Sequence, residues 1–203
     1  MTDMWSIENS YYSEGIKVIC GVDEAGRGPL AGPVVAGAAV LPKNQVILYL
    51  NDSKKLSEKM RESLYDEIMK KAVATGIGIV GPARIDEINI LQATFLAMNR
   101  AFEGLAVKPD MALIDGNKKP GVDAAEETIV KGDAKSMSIA AASILAKVSR
   151  DRYMLEMAKL YPEYEFERHK GYGTKLHYEK IAEHGVSEIH RRTFLKGIAD
   201  RED

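Results

Sequence analysis

The chain has 203 residues, of which 45% are hydrophobic and 29% charged, a composition typical of one soluble globular domain. A net charge of −2 argues against binding to nucleic acid through overall positive charge, so any such binding would depend on local basic patches. The single cysteine, Cys20, excludes an intrachain disulfide and favours a reducing compartment. Residues 28–42, the longest uncharged run, are too short to span a bilayer, and the N-terminus does not resemble a signal peptide. We therefore expect a cytoplasmic monomer without membrane contact.

Apolar runs at 16–22 and 34–41 predict a pair of strands, and shorter runs at 76–81, 111–114 and 127–130 predict three more. Apolar residues at helical spacing predict helices over 58–74 and 86–104, with Ser57 as the N-cap of the first. A third helix should contain residues 138–147 and end before Pro162, and a fourth should cover 177–184. Strands that alternate with helices after a leading hairpin predict a mixed α/β sheet.

The most informative stretch runs from residue 18 to residue 40. An apolar run ends on two adjacent carboxylates, Asp23 and Glu24, and a turn rich in glycine and proline then leads to a second apolar run. We expect a buried strand, a tight turn that exposes backbone amides, and a return strand. Because neighbouring strand residues point to opposite faces, only one carboxylate can follow the exposed face; a bend at the glycines would place the other.

Three predicted strands end in acidic residues, which are Asp23 with Glu24, Asp115 and Asp133. Functional groups gather where the strands of open α/β sheets end. Two carboxylates about 5 Å apart repel by about 3 kcal/mol at an effective dielectric constant of roughly 20. Such a cluster should therefore take up protons or bind divalent cations, and oxygen-only ligands favour Mg²⁺ or Mn²⁺ over zinc. This arrangement suits two-metal hydrolysis of a phosphodiester.

Each acidic residue also has a simpler interpretation. Asp133 precedes a predicted helix and could be its N-cap, and Asp115 with Gly116 could form an ordinary turn. Asp23 and Glu24 are harder to explain in this way, because they lie between a strand and a turn that exposes amides. The joint pattern favours a metal site.

Beyond these local patterns, a series of motifs resembles type 2 ribonuclease H (ribonuclease HII) of the bacterial type. The first is Asp-Glu-Ala-Gly-Arg-Gly-Pro at 23–29, and the others follow in order along nearly the whole chain, at 30–34, 52–56, 114–116, 131–133, 141–147, 169–174 and 190–194. The resemblance implies a ribonuclease H-like, mixed five-stranded sheet flanked by helices. It also implies a catalytic domain over 1–160, with a C-terminal helical extension over 161–203 that packs on it and completes the substrate site.

The resemblance implies an endonuclease that cleaves RNA in RNA–DNA hybrids and incises duplex DNA on the 5′ side of single ribonucleotides, leaving 3′-hydroxyl and 5′-phosphate ends. Its catalytic residues, which are also its ligands for two Mg²⁺ or Mn²⁺ ions, would be Asp23, Glu24, Asp115 and Asp133. Asp23 would bridge the two ions. The resemblance assigns recognition of the 2′-hydroxyl at the RNA-to-DNA junction to Gly26, Arg27 and Gly28, and glycines do permit close backbone approach.

The resemblance also places Tyr172 beside the deoxyribose that follows the ribonucleotide, although an ordinary core or surface tyrosine is the alternative. Further candidate substrate contacts are Ser53, Lys54, Lys147, Arg150 and Arg191. Ser53 could instead cap a turn, Lys147 could pair with Asp151 along one helix, and Arg191 with Arg192 could pin the tail. The four histidines are expected to be structural or peripheral, because hydrolysis by metal-bound water makes none of them essential.

The sequence differs from some relatives of this family in a few features, and two other classes of function remain as alternatives. The N-terminal extension of type 3 enzymes is not seen, and Thr193 stands where serine is common in the family. No glutamine-led, double-aromatic motif appears near residue 196, so binding to a sliding clamp is not expected. The alternatives from other classes are a hybrid-binding module without catalysis and a magnesium-dependent hydrolase of small phosphate esters, for which no mononucleotide-binding loop is evident.

Overall fold

The computed structural model describes residues 3–50 and 56–195. Its centre is a five-stranded sheet with the strand order β3-β2-β1-β4-β5. The strands are β1 (Ile19–Ala25), β2 (Val34–Val40), β3 (Ala74–Val80), β4 (Met111–Asp115) and β5 (Ala125–Ile129). The central strand β1 is antiparallel to β2 and parallel to β4. The predicted mixed five-stranded sheet is confirmed.

Six helices accompany the sheet in the described ranges. They are α1 (Ser6–Ser13), α2 (Glu58–Lys71), α3 (Pro82–Glu103), α4 (Met137–Leu160), α5 (Phe166–His169) and α6 (Lys175–His184). The predicted cap of α2 is confirmed, because the side chain of Ser57 accepts a hydrogen bond from the Met60 amide. In the part of the chain that is described, no helix is both long and apolar enough to cross a membrane.

Helix α4 lies against β1 and β2 with its backbone in contact with theirs. A Cβ atom at Gly21 would lie 2.0 Å from the backbone carbon of Ser138, and one at Gly37 would lie 2.3 Å from the carbonyl oxygen of Ala142. The two glycines and the small residues of α4 therefore allow this close approach. As a result, α4 holds its polar side chains directly over the end of β1.

Helix α3 covers the opposite face of the sheet and contains a break that periodicity did not predict. Asn89 has φ 66° and ψ 164°, so the helix stops and restarts there. The side chain of Asn89 accepts hydrogen bonds from the amides of Leu91 and Gln92, which makes it the N-cap of the second half. Asn is among the residues that tolerate positive φ most readily.

The segment after α4 packs on the loop between β1 and β2. Tyr164, Phe166, Ile181 and Ile189 form a hydrophobic cluster that also contains Leu30, Ala31 and Met154. Two segments that share a core in this way stabilise each other. The division of the chain into domains near residue 160 stays a prediction.

Candidate active site

Strand β1 continues through both of its acidic residues to Ala25, which corrects the predicted end of the strand at residue 22. Asp23 pairs with Gly37 of β2 and Glu24 pairs with Ala36, so the ladder ends only after Ala25. The two carboxylates consequently leave the strand on opposite faces. Both still line the same cavity, because it opens at the rim of the sheet.

Asp115 reaches this rim from the neighbouring strand. Val22 is in parallel register with Ile114, so Asp115, the last residue of β4, lies beside Asp23. The amide of Gly132 donates a hydrogen bond of 2.6 Å to Oδ1 of Asp115. Asp115 therefore anchors the 3₁₀ turn Gly132–Ala134, which carries Asp133.

Asp133 is buried within this turn and does not cap α4. The N-cap is Ser136, whose hydroxyl accepts a hydrogen bond of 3.2 Å from the Ile139 amide. Oε1 of the fully buried Glu8 accepts hydrogen bonds from the Ser136 hydroxyl at 2.7 Å and from the Ser138 amide at 3.0 Å. The N-terminal helix thus holds the start of α4 beside the Asp133 turn. Glu8 was missed because one acid in a short helix carries no sequence signal.

A cavity of about 400 Å³ brings three of the four predicted acids together with other predicted contacts. Its lining comprises Asp23, Glu24, Ala25, Gly26, Arg61, Asp115, Ser143, Lys147 and Tyr172. Arg61 and Ser143 were not predicted. Arg61 lies on an ordinary amphipathic helix, and Ser143 lies in a run of small residues that reads only as packing. Their position becomes evident only when α2 and α4 are placed over the sheet.

Burial and neighbouring charges raise the pKa of two carboxylates in this cavity, those of Asp23 and Glu24. The pKa of Asp23 is raised well above its usual range, first by burial and then by the charges of Glu24 and Asp115. Hydrogen bonds from the Ser143 side chain and the Glu24 amide oppose this rise only partly. The pKa of Glu24 is also raised by burial, although Arg27, 3.3 Å away, lowers it. This set of buried acids would gain stability from a cation.

The expected ligand set for two metal ions is only partly assembled. Three of the four acids, Asp23, Glu24 and Asp115, line the cavity, whereas Asp133 is not among the lining residues. Within residues 3–50 and 56–195, no three Asp, Glu, His or Cys side chains are arranged as a metal-binding group. The chemistry of the three lining acids still fits Mg²⁺ or Mn²⁺, because all three are oxygen donors and the charge of Asp115 raises the pKa of both Asp23 and Glu24.

The glycine loop after β1 begins at the cavity wall. Gly26 has φ +94°, and a Cβ atom there would lie 2.2 Å from Nε of Arg150, so glycine is required at this position. Gly28 differs, since nothing lies within 4 Å of the position of its missing Cβ. The space beside Gly28 is therefore open to a ligand.

Tyr172 closes the other side of the cavity. The residue is 41% exposed, and Nζ of Lys147 and Cζ of Arg150 lie 5.8 Å and 5.5 Å from the centroid of its ring. Nδ1 of His177 donates a hydrogen bond of 3.0 Å to the Tyr172 carbonyl. The Tyr172 turn is thereby tied to the core beneath it.

Three histidines below Tyr172 form a buried network that has a structural explanation. Nε2 of His177 lies 3.0 Å from Nε2 of His190, and Nδ1 of His190 accepts a hydrogen bond of 2.9 Å from the Ser187 amide. Burial lowers the pKa of His177 and of His190 to about 4, so both rings are neutral near pH 7. His169 donates to the Tyr164 carbonyl and accepts from the Gly171 amide. Each neutral ring therefore uses one donor and one acceptor.

The structure changes the interpretation of three basic residues, and two other predicted contacts lie outside the residues that it describes. Arg150 and Arg191 were predicted to contact substrate, but both side chains are fully buried and both guanidiniums bind backbone carbonyls; these two predictions are wrong. Lys147 does pair with Asp151, at 2.7 Å, and it also lines the cavity. Ser53 and Lys54 lie outside the described residues.

Comparison with known proteins identifies the family. The family model described as Ribonuclease HII matches residues 20–196. Ribonuclease HII of Endomicrobium trichonymphae is 58% identical over 95% of this chain and 92% of its own length. The crystal structure of ribonuclease H2 from Pyrococcus horikoshii OT3 has a TM-score of 0.77 and 30% identity, covering 91% of this chain and 98% of the other. The ribonuclease HII of Archaeoglobus fulgidus, solved in complex with PCNA, has a TM-score of 0.70 and 26% identity, covering 91% of this chain and 97% of the other.

The matched region contains the three acids that share the cavity, the glycine loop and Tyr172. The sheet order and the flanking helices also agree with the ribonuclease H-like fold of the solved relatives. This chain belongs to the ribonuclease HII family of endoribonucleases, which are phosphodiester hydrolases.

Proposed function

We propose that this protein hydrolyses the RNA strand of RNA–DNA hybrids and incises duplex DNA on the 5′ side of single embedded ribonucleotides, leaving 3′-hydroxyl and 5′-phosphate ends. The observation that carries the proposal is the shared cavity, in which Asp23, Glu24 and Asp115 face Gly26 and Tyr172. A site that both cleaves and recognises a ribonucleotide needs carboxylates for hydrolysis and a backbone loop beside the 2′-hydroxyl. Membership of an endoribonuclease family argues against a binding module without catalysis.

The roles of the acids follow from their positions near the ends of β1 and β4 and in the turn after β5. Asp23, Glu24, Asp115 and Asp133 would hold two Mg²⁺ or Mn²⁺ ions. Such ions supply an activated water and stabilise the leaving 3′-oxygen. Ser143 would orient the Asp23 carboxylate through its hydrogen bond. The Gly132 amide would do the same for Asp115 and would keep Asp133 beside it.

Two cations on the wall of the cavity would bind the substrate backbone. Nζ of Lys147 lies 2.7 Å from Oδ1 of Asp151, and the guanidinium of Arg61 lies 4.0 Å from Oδ2 of the same carboxylate. The buried Asp151 thus restricts both side chains to the cavity wall. A phosphate of the bound strand would complete the charge balance there. Ser53 and Lys54 remain candidate contacts to the same strand.

The recognition of the sugar would depend on the two sides of the cavity. On one side, Gly26, Arg27 and Gly28 would meet the ribose 2′-hydroxyl through backbone groups. On the other, the exposed Tyr172 ring would lie against the following deoxyribose, whose lack of a 2′-hydroxyl leaves a flat apolar face.

The experiment that tests this function uses three end-labelled duplexes, which contain one ribonucleotide, a long RNA–DNA hybrid strand, or DNA only. Each is incubated with Mg²⁺, Mn²⁺ or chelator, and products are mapped at nucleotide resolution. We expect one metal-dependent cut on the 5′ side of the ribonucleotide, cleavage of the hybrid, and no cleavage of DNA. Cleavage of the hybrid alone would remove the junction role of Tyr172. Hydrolysis of small phosphate esters without cleavage of any duplex would contradict the proposal.

The biological setting proposed here is removal of ribonucleotides from DNA during replication and repair in the cytoplasm. The lone, buried Cys20 supports a reducing compartment. We expect a monomer. PCNA is a partner of the Archaeoglobus relative, but the sequence here offers no glutamine-led motif to support clamp binding.

A further inference from the structure

Two fully buried guanidiniums, those of Arg150 and Arg191, lie behind the glycine loop. Arg191 donates to the carbonyls of Gly26 at 2.5 Å, Arg27 at 2.9 Å and Gly32 at 2.9 Å. Arg150 donates to the carbonyls of Ala31 at 3.1 Å, Pro33 at 3.0 Å and Lys170 at 3.0 Å. We call these six contacts the arginine brace. Five of the six carbonyls belong to the loop between β1 and β2.

The brace determines which way the loop presents its amides. In a trans peptide the carbonyl of one residue and the amide of the next point in opposite directions. Because Arg191 holds the Gly26 and Arg27 carbonyls inward, the amides of Arg27 and Gly28 point away from the buried guanidinium. Gly26 lines the cavity and the space at Gly28 is open. A positive charge on the carbonyl side also polarises each peptide and strengthens its N–H as a donor.

Arg150 connects the same loop to the Tyr172 turn. Its guanidinium bonds to loop carbonyls and to Lys170, and it lies 5.5 Å from the centroid of the Tyr172 ring. The Gly171 carbonyl accepts a further hydrogen bond of 2.8 Å from the Leu30 amide. The two walls that would contact the ribonucleotide and the next sugar are therefore held at a set separation by one side chain.

We propose that Arg150 and Arg191 are positioning residues that set the sugar specificity of this enzyme without touching the substrate. This inference rests on the proposed function, because it assigns the discrimination between ribose and deoxyribose to the braced loop. Arg191 orients the amides that meet the 2′-hydroxyl. Arg150 sets the distance from that loop to Tyr172 and thereby the preference for a DNA sugar after the ribonucleotide.

The test replaces each arginine by lysine, which keeps the positive charge but cannot form the three-way fork. The matched control for Arg191→Lys is Arg192→Lys at the adjacent residue. The matched control for Arg150→Lys is Arg152→Lys on the exposed side of α4. Neither control residue takes part in the arginine brace. For each protein, kcat/KM is measured on the one-ribonucleotide duplex and on the long hybrid, well below its unfolding temperature. The preference of binding for the one-ribonucleotide duplex over all-DNA duplex is measured in chelator by fluorescence anisotropy.

For Arg191→Lys we expect the binding preference to fall about tenfold, since the loss of one well-placed hydrogen bond has roughly this effect, while affinity for all-DNA duplex stays unchanged. Both cleavage rates should fall together. For Arg150→Lys we expect incision at one ribonucleotide to fall about tenfold relative to hybrid cleavage. The controls should match the wild type in every ratio.

Two results would overturn the inference in distinguishable ways. If the wild type itself showed no preference for the ribonucleotide, the proposed substrate and this role would both fail. If the wild type showed the preference and both lysine variants retained it, only the role of the brace would fail. Should one variant not fold, the other gives a decision by itself, because each has its own predicted ratio.

Discussion

The acidic cavity and the arginine brace are two clusters of buried charge that meet at Gly26, and they handle their charge in opposite ways. Burial and neighbouring carboxylates raise the pKa of Asp23 and of Glu24, and a cavity of about 400 Å³ lies beside these acids. The guanidiniums of Arg150 and Arg191 bind six backbone carbonyls and are fully enclosed. An open cluster of carboxylates that repel one another is suited to binding an external cation. An enclosed cluster of hydrogen-bonded guanidiniums is suited to holding the backbone of a loop in place. Replacements in the first should change activity most, and replacements in the second should change stability and specificity.

The largest effect should follow from Asp23→Asn. This change removes a negative charge and keeps the shape, so we expect kcat on the hybrid to fall at least about 10³-fold, equivalent to roughly 4 kcal/mol. The control is Asp123→Asn, whose carboxylate is exposed and pairs with Lys108. Single-turnover cleavage in Mg²⁺ measures both. Cleavage by Asp23→Asn at the wild-type rate would show that the cavity is not the catalytic site.

The brace should show its effect in stability. Arg150→Ala leaves three buried carbonyls without their donor, so we expect the free energy of unfolding to fall by about 3 kcal/mol or more. Arg152→Ala, two residues along α4, removes an exposed ion pair with Glu62 and should lower it by at most about 1 kcal/mol. Urea unfolding of metal-free protein compares the two. An equal fall in the free energy of unfolding for both variants would mean that the arginine brace does not stabilise the loop.

Replacements of Gly26 and Gly28 should distinguish an effect on stability from an effect on substrate recognition. Gly26→Ala introduces a Cβ atom against Arg150 at positive φ, so we expect a loss of stability as well as of activity. Gly28→Ala places its methyl group in open space, so the unfolding temperature should stay unchanged. Incision at one ribonucleotide should still fall about tenfold if the substrate approaches this backbone closely. Full activity of Gly28→Ala would show that no such approach occurs.

A smaller effect is expected from the cations of the cavity wall. Lys147→Met should raise KM several-fold and reduce the slope of log K against log salt by about 1, because one phosphate contact is lost. Lys159→Met on the same helix removes an exposed lysine paired with Glu156 and should leave the slope unchanged. Anisotropy titrations across salt concentrations measure the slopes. An unchanged slope for Lys147→Met would place the substrate backbone elsewhere.

The elements themselves were predictable because they depend on local patterns. Apolar periodicity identified all five strands and the four main helices, and Ser57 was recognisable as a cap. The break at Asn89 was not, since its neighbours keep an ordinary apolar period and only the left-handed backbone reveals it. The continuation of β1 through Glu24 was also missed, because the ladder to β2 outweighs the tendency of acids to end a strand.

The cavity residues that belong to a sequence motif could be predicted. Those that reach the cavity only through the packing of helices could not. Asp23, Glu24, Asp115 and Tyr172 belong to motifs, and the structure brings them to one cavity. Ser143 and Arg61 reach it through the placement of α4 and α2, which depends on Gly21, Gly37 and distant contacts. Arg191 was misassigned because an arginine pair in a sequence does not reveal that one guanidinium turns inward to carbonyls 159 to 165 residues away.

The most direct test of the central contrast is thermal unfolding of the wild type and Asp23→Asn, each in chelator and in Mn²⁺. The raised pKa of Asp23 means that the folded protein retains a proton which the unfolded chain releases, so metal-free stability should fall as the pH rises above about 4. At neutral pH in chelator, we expect Asp23→Asn to unfold about 2–4 °C above the wild type, corresponding to about 1 kcal/mol. Mn²⁺ should raise the unfolding temperature of the wild type and affect the variant far less. A variant less stable than the wild type in chelator, together with a wild type that does not respond to Mn²⁺, would contradict a repulsive, cation-binding cavity.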